Sequence, residues 1–294
     1  LIHIKKELTR FSTGLQIGRV FCTTKAIVPL LTDFIGERKQ LMKLTLEAAC
    51  LSNRGKIRGS NEDNFFFDGR CMPQDNNGLR NPAYLRQEVS SGIWLAVFDG
   101  MGGENFGETA AFAAAQEMQR QCSAVPRFLT PEKDYLTSVC MALNNAVVEA
   151  ACQQATTHMG TTLAALYVTH RSVYACNVGD SRAYRLRNGE FLQLSQDHVD
   201  SRPLREGRKP ALTQHLGIDP EELLIEPHIA KGQLLAGDHY LLCSDGLVDM
   251  LTNFEITDIM LRNPDVEPCV EALVQAALDK GGRDNVTVIV CGVE

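Results

Sequence analysis

One apolar run of the chain, residues 94–98, ends abruptly on Asp99 and is followed by a turn rich in glycine. A short apolar run bounded by turn residues is typical of a buried strand. Gly107 then begins an alanine-rich segment that predicts a helix to about residue 121. A strand, a glycine-rich turn that begins with Asp99 and a helix thus follow one another. This order places the carboxylate of Asp99 at a strand end, where a rigid scaffold can hold it toward a cleft.

The same patterning predicts strands along most of the remaining chain. Asn188-Gly189 between two apolar segments is a strong hairpin signal. Because the predicted strands far outnumber crossover helices and are joined as hairpins, we expect an α+β fold of packed antiparallel sheets with helices on the outer faces. The predicted strands lie at 44–52, 64–68, 161–168, 172–178, 183–187, 191–194, 225–230, 239–244 and 286–291, the further helices at 131–154, after Asn253 and at 266–280, and the long irregular segments at 69–92 and 195–225.

The glycine turn after Asp99 is open to two interpretations: a phosphate cradle of a dinucleotide fold, or a metal site whose backbone must approach the ion closely. A dinucleotide site needs a second strand that ends on an acidic residue about twenty residues further on. That region reads as helix, and the glycines depart from the G-x-G-x-x-G spacing. The chain instead carries acidic residues at the ends of several apolar runs, which favours the metal site: Glu62, Asp63, Asp99, Asp180, Asp245 and Asp284.

Composition narrows the class of protein. The 294 residues are 44% hydrophobic, enough for a large core, and the net charge is −7 with no Lys/Arg run longer than two. This charge argues against nucleic acid or an anionic membrane surface as the main partner. Ten scattered cysteines without a C-x-x-C pair indicate neither a disulfide framework nor a zinc site, so we expect a reducing, cytoplasmic location. No apolar run approaches the length of a membrane span, and the run 26–35 is too short and too polar to predict a signal peptide.

The N-terminal residues 1–41 mix basic and short apolar stretches without a clear period. We interpret them as an extension or linker, with a helical partner-docking segment as the alternative. Residues 42–294 are predicted to form the functional domain.

Six motifs in this domain resemble, in order, those of the PP2C or PPM family of metal-dependent serine/threonine phosphatases. Each motif alone is weak, but six in order over about residues 44–292 are highly specific. The resemblance implies a PP2C-like β-sandwich of two antiparallel sheets flanked by helices, with the metal site at one end. The motifs are Arg58-Gly59-Ser60-Asn61-Glu62-Asp63, Phe98-Asp99-Gly100-Met101-Gly102-Gly103, Gly160-Thr161-Thr162, Val178-Gly179-Asp180-Ser181-Arg182, Cys243-Ser244-Asp245-Gly246-Leu247-Val248-Asp249 and Gly282-Arg283-Asp284-Asn285.

The chemistry that this family performs requires a strong nucleophile and charge neutralisation at both the attacking and leaving oxygens of a phosphate ester. Two divalent ions about 3.5–4 Å apart, with a bridging hydroxide formed near neutral pH, supply both. Mg²⁺ and Mn²⁺ are hard ions that prefer oxygen ligands, which suits a set of carboxylates without paired histidine or cysteine.

The resemblance also implies a role for each motif residue. Arg58 would clamp the substrate phosphate through its planar guanidinium, while Asp63 and Asn285 would orient the ligands from behind. Asp180 and Asp249 match positions that hold a third, weaker metal in bacterial members, although turn or helix-capping roles are an alternative for both. The implied ligands of the two main ions are Glu62, Asp99, the backbone carbonyl of Gly100, Asp245 and Asp284.

The identity of the general acid is left open, because the chain departs from the family at this point. Eukaryotic members carry a histidine directly after the Asp-Gly pair, where this chain has Met101, and bacterial members commonly have one soon after the glycines, where it has Glu104. A metal-bound water is the first candidate and Glu104 with a raised pKa the second. We expect structural roles for His158 and His198. The segment 195–225 matches the family's flap and is shorter than is typical.

The preferred function is hydrolysis of phosphoserine and phosphothreonine in proteins, opposing serine/threonine kinases. A phosphatase-fold sensor or binding module and a small-molecule phosphomonoesterase are the alternatives. We expect phosphoproteins and a cognate kinase as partners, and a monomer.

Overall fold

The computed structural model describes residues 44–90, 92–102, 106–123, 131–156, 158–201 and 209–294. The predicted extension 1–41 and the candidate acid Glu104 lie outside these ranges. Among the described helices, none combines the length and apolar character needed to cross a membrane.

The described residues form twelve strands and five helices. The strands are β1 (Thr45–Asn53), β2 (Asp63–Phe66), β3 (Ala83–Glu88), β4 (Ile93–Gly102), β5 (Met159–Thr161), β6 (Leu163–Val168), β7 (Ser172–Val178), β8 (Arg182–Arg187), β9 (Glu190–Gln193), β10 (His228–Gln233), β11 (His239–Cys243) and β12 (Val286–Val293). The helices are α1 (Gly107–Ser123), α2 (Glu132–Gln153), α3 (Asp245–Val248), α4 (Asn253–Arg262) and α5 (Val266–Asp279).

The strands pair into two antiparallel sheets. One has the order β3-β1-β12-β11-β8-β9, and the other has the order β10-β7-β6-β4-β2 with β5 paired to the end of β4. In the second sheet β2 and β4 pair so that Asp63 lies directly opposite Asp99. In the first, β11 and β12 pair with Cys243 opposite Val288, so that the chain segments carrying Asp245 and Asp284 leave the sheet side by side.

Three apolar layers hold the sheets and helices together. On β4, Trp94, Ala96 and Phe98 pack against α1 and α2, whereas the alternate residues Leu95 and Val97 pack between the two sheets. The third layer lies between the first sheet and helices α4 and α5. Both faces of β4 are therefore buried, which explains why its sequence is a continuous apolar run rather than an alternating one.

The sequence predictions agree with most elements, and the differences have physical reasons. The predicted loop 69–92 contains β3, an edge strand in which only Leu85 is buried, so that it has no apolar run. The predicted strand 161–168 is two strands, broken at Thr162, and β10 begins at His228, three residues later than predicted. The Asn188-Gly189 hairpin is confirmed, since both residues have the positive φ angles, 51° and 81°, of a tight primed turn.

Candidate metal centre

Four of the predicted acidic residues meet at one end of the sandwich. The second sheet contributes Asp63 and Asp99, whereas Asp245 follows β11 and Asp284 precedes β12 of the first sheet. A cleft of about 350 Å³ opens there, and its lining includes Arg58, Glu62, Asp99, Gly100, Met101, Thr162, Asp180, Lys209, Asp245 and Asp284. Asp63 is buried behind the cleft.

Asp63 ties the two sheets together beneath the cleft. The hydroxyl group of Ser244, which follows β11, donates a hydrogen bond of 2.8 Å to the Asp63 carboxylate on β2. Burial raises the pKa of Asp63 to about 7, although hydrogen bonds from Thr287 and Ser244 oppose the rise. A buried carboxylate with this environment is costly in its charged form unless a cation lies close by.

The backbone of Asp99 is fixed by the Gly160-Thr161-Thr162 motif. The Asp99 amide donates to the hydroxyl of Thr162 at 3.1 Å, and the Asp99 carbonyl accepts from the Thr161 hydroxyl and the Thr162 amide, each at 2.9 Å. The pKa of Asp99 lies well above its usual value, first because of burial and then because of the negative charges of Asp245 and Asp63. The threonines thus hold in place a carboxylate that its neighbours repel.

Asn285 fixes the loop that carries Glu62. Its side-chain oxygen accepts a 2.8 Å hydrogen bond from the Glu62 amide, and its amide group donates to the carbonyls of Arg54 and Ser60. Burial raises the pKa of Glu62. Glu108, which is buried, contributes to this rise, and its Oε2 atom has no hydrogen-bond partner among the described residues.

Two basic side chains compensate part of this negative charge. Arg58 donates a 2.8 Å hydrogen bond to Asp284, which raises the pKa of the guanidinium, and lies 3.7 Å from Glu62. Lys209 contacts Asp245 at 2.6 Å and also contacts Asp249. Within the described ranges, no three acidic, histidine or cysteine side chains are already arranged as a complete ligand set for a metal ion. Binding of divalent cations would therefore require Arg58 to release Asp284 and the carboxylates to rearrange around the ions.

The donor set nevertheless suits Mn²⁺ or Mg²⁺. It consists of oxygens, several of its carboxylates are raised in pKa by burial and by one another, and the buried Oε2 of Glu108 lacks a partner among the described residues. A divalent cation in the cleft would neutralise the carboxylates whose burial and mutual repulsion raise these pKa values.

The remaining candidate residues are the two acids of the possible third metal site and two histidines. Asp180 lines the cleft, and burial, together with the charge of Asp245, raises its pKa to about 6. Asp249 contacts Lys209. His198 accepts a hydrogen bond at Nδ1 from the Gly179 amide, which agrees with a structural role, and His158 is exposed.

Comparison with known proteins identifies the family. A family model described as protein phosphatase 2C matches residues 75–286, which is more than half of the chain. The chain belongs to the protein phosphatase 2C family. The resemblance drawn from the six motifs and the α+β sandwich that it implies are thereby confirmed.

Relatives of this phosphatase 2C chain come from several bacteria. Serine/threonine protein phosphatase PstP of Mycobacterium tuberculosis is 32% identical over 267 residues, which cover 85% of this chain and 45% of PstP. This chain thus spans about half the length of that relative. Serine/threonine phosphatase stp of Listeria monocytogenes is 29% identical, over 83% of this chain and 94% of that protein. The solved catalytic domain of PstP in complex with two manganese ions superposes with a TM-score of 0.68 at 29% identity, over 85% of this chain and 99% of that one.

Sequence reasoning missed several residues of this phosphatase 2C site. Ser244 and Thr162 lie inside two of the six motifs, next to Asp245 and Thr161, and this position could have indicated that they belong to the site. Lys209 belongs to no motif, and nothing in the sequence places it beside Asp245, 36 residues away.

Replacing Asp63 with asparagine should flatten the pH dependence of stability in the metal-free protein. The folded pKa of about 7 lies above the unfolded value of about 3.9. Ionisation of Asp63 therefore costs stability progressively as pH rises from about 4 to about 7, and the full cost remains above that range. We expect Asp63→Asn in EDTA to melt about 5 °C above the wild type at pH 8, and the difference to shrink toward pH 5, as measured by thermal denaturation.

Asp238→Asn is the matched control, because Asp238 is also buried but its pKa is lowered. Burial alone would raise that pKa, and the hydrogen bonds from Arg187 and Tyr240 outweigh burial. This variant should lose stability at pH 8. Parallel melting curves for Asp63→Asn and the wild type from pH 5 to 8 would contradict a titrating Asp63.

Proposed function

We propose that this chain is a protein serine/threonine phosphatase that hydrolyses phosphoserine and phosphothreonine with the aid of two divalent cations, Mn²⁺ or Mg²⁺. The observation that carries the proposal is the meeting of Asp99 from one sheet with Asp245 and Asp284 from the other at a single cleft, with Asp63 buried behind it. The names of the bacterial relatives and the manganese-bound PstP structure support it.

In this proposal the chain's own side chains hold two cations in the cleft. Asp99 would contribute to both, the Gly100 carbonyl and Glu62 would lie on one side, and Asp245 and Asp284 on the other. When bound, the two cations would lower the pKa of water and neutralise charge on the attacking and leaving oxygens of the phosphate ester. Asp63 and Asn285 would keep the ligands oriented through the hydrogen bonds described above.

Arg58 would bind the substrate phosphate. Its side chain is 46% exposed at the cleft and pairs with Asp284 through one nitrogen. When it is not paired with Asp284, its planar guanidinium would offer two parallel N–H donors to phosphate oxygens. The proton for the leaving serine or threonine oxygen would come from water at this centre, with Glu104 as the second candidate.

The biological setting belongs to the same proposal. Phosphorylated proteins would be the substrates, a serine/threonine kinase would be opposed, and the chain would act in the cytoplasm as a monomer.

The decisive experiment is phosphate release by the wild-type protein from a phosphothreonine peptide, with EDTA, with Mn²⁺ and with Mg²⁺. We expect release only with added metal and a preference for the peptide over small metabolite phosphates. Preference for the metabolites would favour a small-molecule phosphomonoesterase. Absence of release from both the peptide and an aryl phosphate, with metal bound, would refute hydrolysis and favour a binding module.

A further inference from the structure

Lys209 is held beside the cleft by backbone pairing between residues 198–200 and 211–213. Val199 and Leu212 form an antiparallel bridge, the Asp200 amide donates to the Ala211 carbonyl at 2.9 Å, and the Thr213 amide donates to the His198 carbonyl at 2.8 Å. Pro210 follows Lys209 and restricts its backbone to extended conformations. The chain therefore delivers the lysine to the cleft from a defined position.

The ammonium group of Lys209 contacts two carboxylates and shares the cleft with a third. It donates to Asp245 at 2.6 Å and contacts Asp249, and Asp180 lines the same cleft. These three carboxylates include both residues that the family resemblance assigned to a third metal.

The ammonium group contacts Oδ2 of both Asp245 and Asp249, so a third divalent cation could not take the same two oxygens, whereas Oδ1 of Asp245 is left to the two-ion centre. Mg²⁺ needs oxygen ligands at about 2.0–2.1 Å in near-octahedral geometry, and the lysine nitrogen already lies at hydrogen-bond distance from the same atoms. A weakly held third ion is the one most easily displaced by a charge that is covalently attached to the protein.

We propose that Lys209 replaces the third divalent cation in this chain. Its ammonium group neutralises Asp245 and Asp249 and leaves a centre of two ions. This inference rests on the proposed metal centre, since Asp245 is also one of its ligands.

The test is the number of Mn²⁺ ions bound per protein, measured by electron paramagnetic resonance of free Mn²⁺ during titration. The wild type should bind two ions, and Lys209→Gln should bind a third, weaker one. Lys209→Arg, which keeps the charge, should bind two. Combining Lys209→Gln with Asp249→Asn should return the number from three to two.

Lys231→Gln is the matched control, because Lys231 lies on β10 over the ring of Tyr174 and not in the cleft. It should bind two ions. Equal numbers for the wild type and Lys209→Gln would overturn the inference, even if the variant bound its two ions more tightly, because the lysine would then compete only at the main centre. No bound Mn²⁺ in the wild type would overturn the metal centre itself, and the inference with it.

Discussion

Replacing Asp99 with asparagine should abolish phosphate release and remove most Mn²⁺ binding while leaving the fold intact. Asp99 stands at the end of β4, opposite Asp63, and its pKa is raised first by burial and then by the charges of Asp245, Asp63, Asp180 and Asp284. It is the carboxylate on which the others converge, and the proposed mechanism needs it for both ions. Loss of an outer-shell partner in a metal site costs about 10–100-fold in affinity or activity. Loss of a shared ligand should therefore lower the rate by at least about 1,000-fold.

The same substitution carries its own test of folding. Because burial and neighbouring charges disfavour the ionised Asp99, the neutral asparagine should melt in EDTA at or above the temperature of the wild type. Asp134→Asn, at an exposed position in the first turn of α2, is the matched control and should change neither rate nor Mn²⁺ affinity. If Asp99→Asn kept a tenth of the wild-type rate at saturating Mn²⁺, Asp99 would not lie at the reaction centre.

The layered fold could be predicted from the sequence because the patterns that determine its strands and turns are local. The run 94–98 has to be buried on both faces, and the Asn188-Gly189 turn requires positive φ angles that few residue pairs adopt. β3 escaped prediction because an edge strand with one buried residue has no apolar periodicity. The short helix α3 escaped because its four residues coincide with the motif that carries Asp245.

The site was predictable where its residues belong to motifs and unpredictable where they meet only in space. Asp63, Asp99, Asp245 and Asp284 are each marked by a strand end. The hydrogen bond from Ser244 to Asp63, by contrast, joins residues 181 positions apart, and the position of Lys209 depends on the pairing of residues 198–200 with 211–213. Charge pairing between distant loops leaves no trace in local composition. The metal roles assigned to individual residues stay predictions.

Replacing Gly100 with alanine should destabilise the protein and inactivate it, although the change adds only one methyl group and removes no ionisable atom. A Cβ at this position would lie 2.1 Å from the Gly107 carbonyl oxygen and 2.5 Å from the Glu62 carbonyl oxygen. Both are backbone atoms, and the Gly100 amide donates to the same Glu62 carbonyl at 3.2 Å. The end of β4 is thus wedged between the Glu62 loop and the first residue of α1, and neither can rotate away as a side chain would.

To relieve the clash, the Glu62 loop and α1 must move away from the end of β4. Overpacking of this kind lowers the free energy of unfolding by about 1–3 kcal/mol or more, and the movement displaces the Gly100 carbonyl from Glu62. Misplacement of a catalytic group by about 1 Å can lower a rate about 100-fold, so we expect at least that loss, together with weaker Mn²⁺ binding and a lower melting temperature.

Gly59→Ala is the matched control. Gly59 lies beside Arg58 in the same loop as Glu62, and a Cβ there would meet no atom within 4 Å. If Gly100→Ala matched Gly59→Ala in melting temperature, Mn²⁺ affinity and rate, close backbone packing at Gly100 would not be what positions this centre.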